Sequence, residues 1–181
     1  AVGPGSLVLT TPYTFVATAE VVRYLGADVR FVDVEEGTAN LDPARLAPAL
    51  DAAAREGLRV AAIVPVHVGG RACDMEAITA IAARGGVPVV EDSAHAFPVV
   101  HRGRMLGTWG DAGVFSFYAT KAITTGEGGM VVTRREDLAR RIRVMRLHGI
   151  DRDVWNRYTA ANGSWEDDVV EAGYKYNMTD L

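Results

Sequence analysis

A chain of 181 residues, 49% hydrophobic and 23% charged, can bury a sizeable core and reads as one globular domain. Its net charge of -4 argues against general nucleic-acid binding, and no apolar run is long enough to span a bilayer. A single cysteine, Cys73, excludes an internal disulfide and suits a reducing cytosol.

Taken in chain order, Leu7 to Thr10 reads as a strand, Phe15 to Leu25 as a helix and Val29 to Val34 as a second strand. Asp42 to Arg55 is an amphipathic helix, with Asp42 as its cap and Pro43 at its first position. Val60 to Val66 is a strand, Asp74 to Arg84 a helix, and Val87 to Glu91 an apolar strand that runs into Asp92, Ser93 and His95. Gly113 to Tyr118 has the aromatic and β-branched content of a buried strand. Gly129 to Thr133 is a further strand and Arg135 to Leu147 a helix. Strands and helices alternating at this spacing predict an α/β fold, a largely parallel sheet with helices on both faces. The tail from Asp151 to Asp168 has neither period and is expected to be an exposed loop, with Trp155, Tyr158 and Trp165 lining either a sugar pocket or a dimer contact.

Chemistry collects behind two of these strands. Lys121 follows the strand ending at Tyr118 and precedes Gly126, Gly128 and Gly129, which permit tight turns and close backbone approach to a ligand. A lysine between those elements is expected to be shielded from bulk water, which would lower its pKa and yield an amine nucleophile. The Val87 strand ends in carboxylates, a hydroxyl and an imidazole, and ligands of open α/β sheets bind at strand carboxyl ends, so the two segments are expected to share a crevice. An amine, a carboxylate and a phosphate-binding hydroxyl are what pyridoxal phosphate requires. Competing readings are a surface charge for Lys121, a helix N-cap for Asp92, a core aromatic for Phe15 and a hydroxyl satisfying a nearby carbonyl for Ser116. Asp92, His95, Asp111 and His67 lack zinc-ligand spacing, so no metal site is expected, and His67 after a strand proline reads as a satisfied core histidine. Arg134, Arg135, Arg140, Arg141, Arg143 and Arg146 make a basic helix, read as a solvated face because the whole chain is acidic. Cys73, beside Asp74 in an expected loop, is read as inert.

The sequence resembles the DegT/DnrJ/EryC1/StrS sugar aminotransferases, of the aspartate aminotransferase fold type. The motifs carrying the likeness are Pro12 to Thr18, Tyr24 to Ala27, Phe31 to Val34, Pro65 to Gly70 with Asp74 and Met75, Glu91 to Ala96, Phe115 to Lys121, Gly126 to Met130, and Gly173 to Asp180. The resemblance implies a three-layer α/β/α large domain. Within it, Lys121 would form the internal aldimine, Asp92 would pair with the pyridinium nitrogen, Ser116 would bind the phosphate, Phe15 would stack on the ring and His95 would lie against the cofactor. It implies transfer of an amino group, by family habit from glutamate, to a keto-sugar that is nucleotide-linked. It further implies a homodimer in the cytoplasm, with neither nucleic acid nor membrane as partner. Lysine at position 121 argues against related dehydratases, which carry histidine there. Lys175 and Asn177 depart from the family's Asn and Arg, which leaves the cross-subunit phosphate contact unassigned. Family members are about twice as long, so residues 1–181 are read as the central part of the large domain, without the N-terminal segment and C-terminal small domain. The chain begins at Ala1, with no initiator methionine and no signal-like segment, and secretion is not expected. The alternative is a cofactor-binding regulator, or an inactive fragment, of the same fold.

Overall fold

The computed structural model describes residues 1–151 and 168–181. Strands are β1 (Ser6–Thr10), β2 (Asp28–Phe31), β3 (Arg59–Val64), β4 (Val90–Asp92), β5 (Val100–His101), β6 (Arg104–Met105), β7 (Ala112–Ser116) and β8 (Gly129–Thr133). Helices are α1 (Ala17–Tyr24), α2 (Pro43–Arg55), α3 (Met75–Gly85) and α4 (Glu136–Met145). Parallel bridges Ile63–Val89 and Val66–Asp92 join β3 to β4, so the main sheet runs β2-β1-β3-β4-β7-β8. Every neighbouring pair is parallel except β7–β8.

Side chains alternate across this sheet, and each face recruits helices. Leu7, Leu9 and Ile63 pack with Leu46 and Ala53 of α2 and with Met75 and Ile78 of α3. Val8 and Ala62 pack on the opposite face with Val22 of α1 and Ala27. Burying Leu46 or Ile78 fully contributes about 1.5–3 kcal/mol each, which is what docks α2 and α3. The three-layer α/β/α arrangement expected from the alternation is therefore present among the described residues.

Helix starts follow their capping chemistry. Asp42 Oδ1 accepts from Ala44 N at 2.8 Å ahead of Pro43, and Asp74 Oδ1 accepts from Ala77 N at 3.1 Å. Asp74 is thus a cap rather than the first helical residue. The strand expected from Val87 starts only at Val90, because Pro88 has no N–H to give the ladder; its carbonyl still accepts from Ile63 N at 2.9 Å. The hairpin β5–β6 was not expected. Arg102 and Gly103 both have positive φ, 48° and 76°, the backbone of a tight two-residue turn. Helix α4 stops at Met145, two residues short of the sequence expectation. There the chain meets the returning segment: Tyr174 N donates to Met145 O and His148 N to Tyr174 O, both at 2.7 Å. Gly149 permits this return, since a Cβ there would lie 1.7 Å from Glu171 O. Trp155, Tyr158 and Trp165 lie outside the described residues.

Candidate active site

Strands β1, β3, β4 and β7 are mutually parallel, so their carboxyl ends form one rim, and the order reverses between β1 and β3. At that rim is a cleft of about 580 Å³, within the ~300–1,000 Å³ of small-molecule sites. Phe15, Asp92, His95, Ser116 and Lys121 all line it. The structure thus brings together all five residues singled out in the sequence, although 106 positions separate the first from the last in the chain.

Asp92 ends β4, and both its backbone groups are fixed to the segment after β3: its N–H donates to Pro65 O at 2.9 Å and its carbonyl accepts from His67 N at 3.0 Å. No helix follows it, so the N-cap reading fails. Oδ1 instead accepts from Ala94 N at 3.1 Å in an Asx turn. Oδ2 accepts from the Thr18 hydroxyl at 2.7 Å. Neither Thr18 nor its neighbour Thr14 was singled out in the sequence. Their spacing of four at the start of a helix was the available signal, since it stacks two hydroxyls on one face.

Ser116 is the last residue of β7, and its Oγ accepts from Tyr118 N at 3.3 Å. That bond uses the oxygen and leaves the hydroxyl proton for a ligand, the opposite of the carbonyl-satisfying reading. Phe15 is 77% exposed beside the cleft, which removes the core-aromatic reading. His95 is exposed, and its Nδ1 accepts from Gly69 N at 3.3 Å, so Nε2 carries the ring proton as a donor.

Lys121 lies in the turn after β7, where its N–H donates to Tyr118 O at 3.0 Å. Phe117 N to Gly128 O at 2.9 Å and Thr125 N to Phe117 O at 3.0 Å close the base of this loop. The shielding expected for Lys121 is not found: the residue is half-buried, because residues 117–128 leave the sheet as a surface turn.

Behind the cleft, Glu91 points to the other face and is fully buried. Its carboxylate accepts from His67 Nε2 at 3.0 Å, Gly107 N at 2.8 Å, Trp109 N at 2.6 Å and Gly110 N at 2.7 Å. Burial, the largest influence, raises its pKa, but the bonds from His67, Gly110 and Gly107 outweigh it and hold Glu91 below the usual carboxylate range. His67 Nδ1 accepts from Cys73 N at 3.2 Å, so both ring nitrogens are engaged and the core-histidine reading stands. Burial, followed by the nearby Glu91 charge, pushes the Cys73 thiol up to about 12, which makes it inert at neutral pH. Lys175 forms a backbone bridge with Leu147, while Asn177 Nδ2 donates to Met178 O at 3.1 Å. Neither residue lines the cleft.

A model of the DegT/DnrJ/EryC1/StrS aminotransferase family matches residues 1–181. The chain is 49% identical over 180 residues to the spore coat polysaccharide biosynthesis protein SpsC of Bacillus subtilis, covering 99% of this chain and 44% of that protein. Among solved structures it is similar to the putative sugar aminotransferase Spr1654 of Streptococcus pneumoniae in its PMP form, with TM-score 0.84, 29% identity, and 99% of this chain against 48% of that one. It is also similar to DesI, determined in the presence of its TDP-sugar product, with TM-score 0.73, 39% identity, and 81% of this chain against 36% of that one. The chain thus spans under half the length of these relatives.

Proposed function

We propose a specific activity for a chain that belongs to the DegT/DnrJ/EryC1/StrS aminotransferase family. The whole protein is a pyridoxal-phosphate-dependent aminotransferase that moves an amino group from an amino acid, glutamate first among candidates, to a nucleotide-linked keto-sugar. Residues 1–181 form the central part of its large domain. The observation that carries this reading is the convergence of Lys121, Asp92, His95, Ser116 and Phe15 on one cleft at the strand carboxyl ends. The sugar-related names of SpsC and DesI support the substrate class.

The donor set fits the cofactor chemically: a primary amine, a carboxylate with one donor already on each oxygen, a hydroxyl with its proton available, and an exposed aromatic face. When bound, pyridoxal phosphate supplies an electron sink for negative charge developing at the amino-acid Cα. Lys121 Nζ would hold the cofactor and move the proton at that Cα. Asp92 would keep the cofactor's nitrogen protonated by supplying a negative charge. Ser116 Oγ would donate to its phosphate, His95 Nε2 would donate to the cofactor, and Phe15 would offer it an aromatic surface. Val21, Val64 and Val114 give the cleft apolar walls.

Borohydride treatment of the full-length protein incubated with pyridoxal phosphate is the test, with the added mass located by peptide mass spectrometry. An adduct on Lys121 is expected, and well-folded protein left unlabelled at Lys121 would refute the reading. Asp92→Asn is expected to bind the cofactor but lose roughly 10²–10³-fold in kcat, because a neutral amide cannot stabilise the ring-nitrogen charge. Turnover measured with glutamate checks this, and an unchanged kcat would remove the role given to Asp92. Release of 2-oxoglutarate from glutamate separates this enzyme from a cofactor-binding regulator.

A homodimer in the cytoplasm completes the proposal. Tyr13, Phe15, Val16, Val21, Tyr24 and Leu25, clustered around α1, are each at least half exposed, an apolar surface that further polypeptide would cover. Among the described residues no helix is long and apolar enough to cross a membrane.

A further inference from the structure

Asp92 accepts two hydrogen bonds through its side chain, and they differ in origin. The bond from Ala94 N is local, made by the turn that follows β4. The bond from Thr18 Oγ1, at 2.7 Å, comes from 74 residues earlier in the chain. Thr18 is buried at 6% exposure in the first turn of α1. A carboxylate only accepts, so the single hydroxyl proton of Thr18 is committed to Asp92. The contact between Thr14 Oγ1 and Thr18 Oγ1, at 2.8 Å, therefore has Thr14 as its donor. The result is a directed relay, Thr14 to Thr18 to Asp92, in which each hydroxyl polarises the next.

The same turn carries the aromatic side chain of the cleft. Thr18 N donates to Phe15 O at 3.2 Å, so Phe15 and the hydroxyl on Asp92 belong to one hydrogen-bonded unit. Asp92 is anchored through its backbone to the segment that follows β3, whereas Phe15 lies in the connection from β1 to α1. The Thr18 hydroxyl joins these two segments by a side-chain bond to Asp92.

We propose that Thr18 is a positioning residue: its hydroxyl fixes the orientation and charge of Asp92 and ties the Phe15 turn to it, so that carboxylate and aromatic face are set together for the cofactor. This rests on the cofactor reading above. One donor on each carboxylate oxygen leaves one acceptor site per oxygen toward the cleft. Removing the Thr18 donor leaves Asp92 held through Oδ1 alone, so the carboxylate can turn about that bond and lose its set position against a ring nitrogen.

The test compares Thr18→Val, which keeps the shape and removes the hydroxyl, with Thr18→Ser, which keeps the hydroxyl. Both are made in the full-length protein and titrated with pyridoxal phosphate without substrate. Thr18→Val is expected to raise the cofactor dissociation constant about tenfold or more and to shift the pH midpoint of the bound cofactor's visible absorption. Thr18→Ser is expected to stay near wild type in both. Half-reaction kinetics with glutamate should show the loss in kcat, with KM little changed. If Thr18→Val does not fold, Thr14→Val is measured instead, with a smaller shift in the same midpoint expected. A folded Thr18→Val variant with wild-type affinity and midpoint overturns the inference, as does a Thr18→Ser variant as impaired as Thr18→Val. Unlabelled Lys121 in wild-type protein would overturn the cofactor reading and this inference together. Labelled wild type with an unaffected Thr18→Val overturns this inference alone.

Discussion

Lys121→Ala in the full-length protein should lower glutamate-dependent transamination by about a thousandfold or more, because the proposed function gives one side chain the roles of both covalent anchor and proton carrier. The fold should survive. Lys121 is half-buried in a surface turn whose base is closed by backbone bonds from Phe117, Thr125 and Lys121 itself, none of which uses the amine. Cofactor binding should weaken rather than vanish, since Asp92, Ser116 and Phe15 still line the cleft. The measurement is 2-oxoglutarate release, with circular dichroism confirming folding. Activity within tenfold of wild type would show that Lys121 is not the working amine.

A large effect on stability is expected at Glu91. Glu91→Ala removes the acceptor for three backbone N–H groups, on Gly107, Trp109 and Gly110, and leaves buried His67 Nε2 without its partner. Losing one partner of such a buried charged network costs about 3–5 kcal/mol. The loop packs tightly on β7: a Cβ on Gly113 would lie 2.1 Å from Gly107 O. Urea unfolding of wild-type and variant full-length protein checks the loss, and a difference under 1 kcal/mol would contradict it.

The pH dependence follows from the sign of the shift. Glu91 is held below its unfolded value, so its contribution is complete above the ordinary carboxylate pKa of 4.5 and fades as pH falls through the lower folded value. The stability gap between wild type and Glu91→Gln should therefore be widest near neutrality and narrow in acid. A gap that widened below pH 4.5 would mean that the carboxylate is not the stabilising form.

The Glu91 cluster also shows where sequence reading stops. From the sequence, Glu91 and Asp92 are two adjacent carboxylates at a strand end. The two-residue period of a strand sends them to opposite faces, one to a cleft and one to the core. Their separate functions depend on what those faces meet, which lies 16 to 24 residues away for Glu91 and 74 residues away for Asp92. The hairpin β5–β6 escaped for a related reason. Strands of two residues are too short to show a period, and Arg102 gives little warning of a positive φ.

Much of the architecture was nonetheless legible. Local rules set the helix caps at Asp42 and Asp74 and the alternation of strands and helices, whereas the inertness of Cys73 comes from burial and the nearby Glu91 charge. The resemblance to the aminotransferase family singled out Phe15, Asp92, His95, Ser116 and Lys121, and all five line one cleft. The tertiary structure alone decided that Lys121 keeps part of its surface in solvent, that Phe15 stands exposed at the cleft, that Ser116 accepts an amide, and that Thr18 holds Asp92. A sequence encodes propensity and period over a few residues, whereas exposure and hydrogen-bond partners depend on which distant segments the parallel sheet brings to one rim.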